Sequence, residues 1–261
     1  MRFLNKKPKT LSPNAQKDLD DRLCDAAQQG YTETVQMLLS AGADVHAEDD
    51  ALRCAAHNGH TETVKALLAA GANVRALNDD ALRCAAHNGH TEMVKALLAA
   101  GANVRALNDD ALRCAAHNGH TETVKALIAA GADVHAGDDE AMRWAALYGC
   151  AAPVKVLLAA GADIHAQDDW ALRWAVGNGY TETVQVLAKH IFAPDAWRGK
   201  NRAEIEAYAT GLYDKIKADA PKRERLRQAG DILIDSALTC WEQVRPSPPK
   251  IQISPLPAQP S

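Results

Sequence analysis

Residues 51–80 read ALRCAAHNGHTETVKALLAAGANVRALNDD, and residues 81–110 repeat them with one change, Thr63 becoming Met93. A third, slightly drifted copy fills 111–140. Glycine recurs at 59, 89, 119, 149 and 179, which sets a period of 30 residues, and Gly30 marks an earlier unit one residue shorter. Six units follow, at about 20–50, 51–80, 81–110, 111–140, 141–170 and 171–194. Self-similarity at such a period is the mark of a solenoid, in which one unit cannot bury its apolar face alone and neighbours must cover it.

Each unit reads as two short helices. Leu52, Ala55 and Ala56 fall at i, i+3, i+4, as do Val64, Leu67 and Leu68, so each set makes one apolar stripe. Asp50 is expected to cap the first helix and Thr61 the second, by accepting free backbone N–H groups. Gly59 and Gly71 are expected to end them, because a left-handed residue is cheapest without a Cβ. Helices of about nine residues do not persist alone. The chain is 47% hydrophobic but only 5% aromatic, so packing between units must rest on Ala, Leu and Val.

The segment AAHNGHTETVKALLAAGANV resembles the ankyrin repeat, whose consensus reads TPLHLAA, two variable residues, GH, an apolar helix and GADVNA; GHTETVKALIAAGADVHA at 119–136 is especially close. The resemblance spans roughly residues 20–190. It implies an all-α, ankyrin-like α-solenoid of six helix-turn-helix repeats. The family unit usually has three more residues, lost here between GANVRA and ALRCAA, where ankyrins carry a β-hairpin finger. Asp-Ala-Leu-Arg stands for Thr-Pro-Leu-His. Shortened fingers remove one of two partner surfaces and leave the concave helical face.

The family binds through the two variable residues before GH. Carried over residue by residue, these are Gln28/Gln29, His57/Asn58, His87/Asn88, His117/Asn118, Leu147/Tyr148 and Gly177/Asn178. Three identical His-Asn pairs point to recent duplication. The pattern breaks toward hot-spot residue types at Leu147, Tyr148 and Trp170, which we weigh against packing of those rings beneath the C-terminal segment. The resemblance also suggests that Cys54, Cys84 and Cys114 fill a Leu-like core slot, taken later by Trp144 and Trp174. His60 matches a structural histidine of the family.

Beyond Pro194, Ile205, Tyr208, Leu212 and Ile216 make one helical stripe, and Leu226, Ile234, Leu238 and Trp241 another, with Pro221 between them. A hairpin at 195–245 is expected, either as a lid on the last repeat or as an assembly module. A basic arm (1–19) precedes the array, and a tail at 246–261 holds six prolines and is expected to be disordered.

Net charge is −4, but residues 18–190 carry 13 Lys/Arg against 24 Asp/Glu. That balance argues against nucleic acid and allows a basic protein partner. Arg53, Arg83, Arg113, Arg143 and Arg173 run beside these acids, as caps and ion pairs or as an acidic rail. No apolar run is long enough for a membrane span, and the N-terminus has no secretory h-region. Six cysteines suggest a reducing cytoplasm, with export to a host cell as the alternative. Cysteine and histidine recur as periodic copies rather than one convergent set, so neither catalysis nor a metal or other cofactor is expected. The function these features suggest is protein–protein interaction, as a module or adaptor; the alternative is a structural spacer assembled through its hairpin.

Overall fold

The computed structural model describes residues 12–219 and 223–245. The arm before Ser12, Pro221 and the proline-rich tail lie outside the described residues.

The chain is a row of paired helices. They are α1 (Pro13–Gln29), α2 (Thr32–Ser40), α3 (Asp50–His57), α4 (Thr61–Ala69), α5 (Ala76–His87), α6 (Thr91–Ala99), α7 (Ala106–His117), α8 (Thr121–Ala129), α9 (Ala136–Leu147), α10 (Ala151–Ala159), α11 (Ala166–Asn178) and α12 (Thr181–Ile191). A hairpin of α13 (Arg202–Asp219) and α14 (Arg223–Val244) follows. No strand occurs among the described residues. The first helix begins at Pro13, ahead of the expected start of the array at 20, and Ser12 caps it by accepting the Ala15 N–H at 3.3 Å.

The apolar stripes face where the periodicity puts them. Leu52, Ala55, Ala56, Val64 and Leu67 are buried, and so are their counterparts along the stack. The odd-numbered helices pack on one another more extensively than the even-numbered ones do, through their buried alanine pairs. We call the side of the stack formed by the first helices of the pairs its inner face.

Helix ends behave as expected at the C-terminal side. After α5, Gly89 sits at φ +74, the His90 N–H reaches the Ala85 carbonyl at 2.9 Å and the Gly89 N–H reaches Ala86 at 3.2 Å. This pattern satisfies two orphan carbonyls. Its glycine has a second duty. The imidazole of His120 lies over it, so a Cβ there would stand 2.6 Å from the ring Cγ.

The N-terminal caps differ from expectation. Asp50 lies inside α3 and holds Arg53 at 2.8 Å; the cap position falls on Asp49, which makes no side-chain cap bond. Thr61 is likewise the first helical residue, after His60. Both differences come from how the chain enters the helices. Before the second helix, the tight turn closes on the backbone, Thr61 N–H to Gly59 carbonyl at 3.0 Å. Threonine hydroxyls at these ends link neighbouring repeats instead, Thr32 to Thr63 and Thr91 to Thr123, both at 2.8 Å.

Before the first helix, three successive residues are left-handed: 77–79, 107–109, 137–139 and 167–169, all with φ between 50° and 61°. One turn of opposite hand thus stands where longer repeats would have a finger. Each non-glycine residue there costs about 1–2 kcal/mol, least for Asn and Asp. The last residue of the turn offsets part of this cost. The buried Asp79 carboxylate accepts the Asn103 N–H at 2.7 Å, and Asp109 and Asp139 accept those of Asp133 and Asp163 at 2.8 Å. Asp20 does the same for Asp44 at 2.7 Å. Every such carboxylate staples the loop of the following repeat.

The last staple is different in kind. Asp169 has no further repeat ahead of it, and Lys215 of α13 donates to it at 2.6 Å while also pairing with Asp168. His165 approaches its other oxygen at 2.6 Å. The ammonium occupies the role a backbone N–H plays elsewhere. Ile205, Leu212 and Ile216 of α13 are buried as expected, and Tyr208 is partly exposed. On α14 the buried stripe is Leu226, Ala229, Leu233, Ala237 and Cys240, whereas Ile234 is 47% exposed. That corrects the expected stripe: small residues face inward, where α14 packs on α11, α12 and α13. Phe192, Trp197 and Tyr208 form the aromatic seam at this end, with Trp197 donating to the Ile191 carbonyl at 2.8 Å.

Candidate partner-binding surface

The variable pairs lie at the C-terminal ends of the first helices. Their asparagines are occupied by the fold. Asn58, Asn88, Asn118 and Asn178 each donate to the carbonyl four residues back, at 2.8–3.0 Å. Asn88 and Asn118 also reach Nδ1 of His57 and His87 in the preceding repeat, at 3.3 and 3.1 Å. His57 and His87 remain exposed. The histidines after glycine do tie the repeats together: His60 donates to the Gln28 carbonyl at 3.0 Å and His120 to His87 at 2.9 Å.

Along the inner face an ion-pair zipper runs from repeat to repeat. Arg53 holds Asp50 and approaches Asp80 at 3.9 Å. Arg83 pairs with Asp80 and reaches Asp110 at 3.0 Å, and Arg113 pairs with Asp110 and approaches Glu140 at 3.8 Å. Each of these acids is shared by two guanidiniums or lies beside one, so the rail is largely neutralised. The zipper stops where Trp170 replaces the acid. Arg143 turns to the Gly137 and Asp138 carbonyls, at 2.8 and 3.0 Å, and lies 5.5 Å from the Trp170 ring.

The cysteine slot is not core. Cys54, Cys84, Cys114 and Trp144 are only half-buried, and Trp174 is 45% exposed. The slot opens on the inner face, which corrects the reading of it as a volume filled within the interior. Where small thiols give way to indoles, an aromatic strip results. Tyr148, 48% exposed, stacks on Trp144 at 5.9 Å and 13°, and on His117 at 4.0 Å. Trp170 meets Trp174 at 5.4 Å. The Trp144 indole N–H is fixed by Glu140 at 3.0 Å. Leu147, Trp170 and Asn178 are half-buried at its margin. The ring contacts of Tyr148 and Trp170 thus run within repeats four to six, while Phe192, Trp197 and Tyr208 are the rings stacked beside the hairpin. Sequence reasoning named Tyr148 and Trp170 and passed over Trp144 and Trp174.

The thiols are poorly disposed for chemistry. Burial pushes the Cys54, Cys84 and Cys150 thiols up, and burial together with the Asp110 carboxylate pushes Cys114 up to about 11. Burial, with His87 and Arg113 nearby, lowers the His117 pKa. Among the described residues no group of three or more His, Cys, Asp or Glu could hold a metal ion, and no helix is long and apolar enough to cross a membrane. Alkylation of Cys114 by iodoacetamide should therefore be slow at neutral pH and rise toward a midpoint near pH 11. Peptide-resolved mass spectrometry across pH checks this, and a midpoint near that of a free thiol would contradict the burial described.

Residues 23–108 and 100–168 match the family model for ankyrin repeats in three copies. A search of the curated proteins gave no match.

Proposed function

Because this chain belongs to the ankyrin-repeat family, whose repeats are generally protein–protein interaction modules and typically non-enzymatic, we propose that it is an adaptor gripping a protein partner on its inner face. The observation that carries the reading is the strip of Trp144, Tyr148, Trp170 and Trp174, half open on a face otherwise built of small and ion-paired side chains. Indole and phenol rings give large contact area at little conformational cost, and they dominate binding energy where interfaces have been dissected. The stack buries a continuous core, so the surface is organised before any partner arrives and little ordering entropy opposes docking. Since Asp80, Asp110 and Glu140 are shared with arginines, we place recognition on the rings rather than on an acidic rail. The exposed His57 and His87 extend the same surface toward the N-terminal repeats. The reading assigns no catalysis and no nucleic acid to this face. A reducing cytoplasm, or a host cell reached by export, is part of the same proposal, supported by only six cysteines in a chain of 261 residues.

The test is quantitative capture from source-cell lysate by the full chain and by a Tyr148→Ala/Trp174→Ala variant, followed by affinity measurement on the partner found. Loss of two hot-spot rings should weaken binding by at least about 30-fold. Circular dichroism should be unchanged, because both side chains are substantially exposed. A partner held equally by the variant, yet lost on Ile234→Glu at the exposed side of α14, would favour the spacer reading, with assembly through the hairpin.

A further inference from the structure

We propose that the open N-terminal end of the array is a seat for the chain's own basic residues 1–11. In the inner repeats the residue after the glycine turns back onto the preceding unit: the His60 ring lies over Gly30, that of His90 over Gly59 and that of Tyr180 over Gly149. Tyr31 holds this place in the first repeat, has no earlier unit to lie on, and is 61% exposed. Met37, the counterpart of the half-buried Ala66, is 64% exposed. These are the two most exposed large apolar side chains among the described residues. Between α1 and α2 runs a groove of about 230 Å³, with Arg22, Asp25 and Gln29 on one wall and Tyr31, Thr34 and Leu38 on the other. The terminal unit of a solenoid needs a polar outer face or a cover. The far end has its cover in the hairpin, and this end presents tyrosine and methionine.

Charge selects the occupant. Asp25 lines the groove, and Asp21 and Asp18 are exposed one and two turns before it along α1, Asp18 lying 4.0 Å from Arg22. They favour a cationic segment and oppose a second copy, which would set the same acids against each other. Residues 1–11 contain Arg2, Lys6, Lys7 and Lys9, no acid, and the apolar Met1, Phe3, Leu4 and Leu11.

Reach and register agree with this choice. The segment joins α1 at Ser12. Along the helix, Asp21 lies ~14 Å from Ser12, Asp25 ~20 Å and the Tyr31 turn ~28 Å. A chain doubling back at about 3.3 Å per residue brings Lys9 to ~10 Å, Lys6 to ~20 Å and Phe3 to ~30 Å. Cations therefore fall beside the carboxylates, and the phenylalanine beside Tyr31 and Met37.

Zero-length carbodiimide coupling tests this on the full chain, with unlabelled and ¹⁵N-labelled protein mixed in equal amounts and crosslinked peptides read by mass spectrometry. The expected products join Lys6, Lys7 or Lys9 to Asp21 or Asp25, with both peptides of one isotope. Tyr31→Ser/Met37→Ser should lower their yield several-fold and leave the Lys65–Glu62 product, from a pair 2.7 Å apart, as an unchanged internal standard. Products of mixed isotope would mean that a second copy fills the seat. Coupling spread evenly over remote carboxylates such as Glu92 and Glu122, or no coupling of these lysines at all, would mean that residues 1–11 do not dock. Each of those three results overturns the proposal.

Discussion

Gly89→Ala should destabilise the array by about 1.5–3.5 kcal/mol, a large effect for one methyl group on a partly exposed turn. Two physical terms combine. An L-residue at φ +74 costs about 1–2 kcal/mol. The new Cβ would also stand in the His120 imidazole, which must swing away and give up its 2.9 Å hydrogen bond to the His87 carbonyl, about 0.5–1.5 kcal/mol more. The second term can be isolated. His120→Ala alone loses the bond, and the double variant should be less destabilised than the sum of the singles, since a shortened side chain no longer meets the methyl. Urea denaturation of the four proteins checks this. Strict additivity would show that the ring yields freely and that only backbone strain matters.

Lys215→Met should release the hairpin from the end of the array, by about 1–3 kcal/mol after allowing for a partly exposed ammonium. Amide exchange in α13 and α14 should accelerate ahead of exchange in α5 or α7. The pH dependence identifies the cause. Burial alone would raise the Asp169 pKa, but hydrogen bonds from Lys215 and His165 outweigh it and hold the carboxyl below its ordinary value near 3.8. Its contribution to stability is therefore present above that value and lost as pH falls through the lower, folded one. In the variant the Lys215 hydrogen bond is gone while that of His165 remains, so the folded pKa of Asp169 moves up toward its ordinary value. Docking of the variant is then weaker at neutral pH and loses less on acidification, because less of it depends on a charged Asp169. Wild type and variant should thus diverge most near pH 7 and converge below about pH 4. Parallel pH profiles would show that apolar contacts of α14 hold the hairpin unaided.

The array was legible because its information is periodic. Leu52, Ala55, Val64 and Leu67 state their burial through spacing, and six copies state it repeatedly. The turns were less so. Leu77-Asn78-Asp79 and Gln167-Asp168-Asp169 adopt one left-handed turn although leucine and glutamine have no preference for it, because the staple from the terminal aspartate over-determines the backbone. A carboxylate bonded 24 residues ahead carries no local signal, and Asp50 therefore passed for a cap.

The slot at 54, 84, 114, 144 and 174 holds the more instructive error. Cysteine and tryptophan differ so much in volume that no close-packed interior would accept both without changes around it. The neighbouring alanine pairs stay constant through 145/146, so the slot had to open outward, and that argument was available from the sequence. On α14 the mistake was choosing by size. Ile234 is large but faces away, while Ala229, Ala237 and Cys240 let the helix lie close to its neighbours.

The aspartate staples also give the molecule a direction. Each of these carboxylates reaches forward, so the loops at Asp44, Asn103, Asp133 and Asp163 are each held by a residue made 24 positions earlier. On the ribosome, a newly emerged unit meets a finished neighbour that already presents its acceptor, its glycine platform and its alanine surface. The array can therefore settle from its first repeat onward, each step of synthesis adding a unit to an ordered template, and Lys215 arrives after the last repeat to close the end that growth has left open.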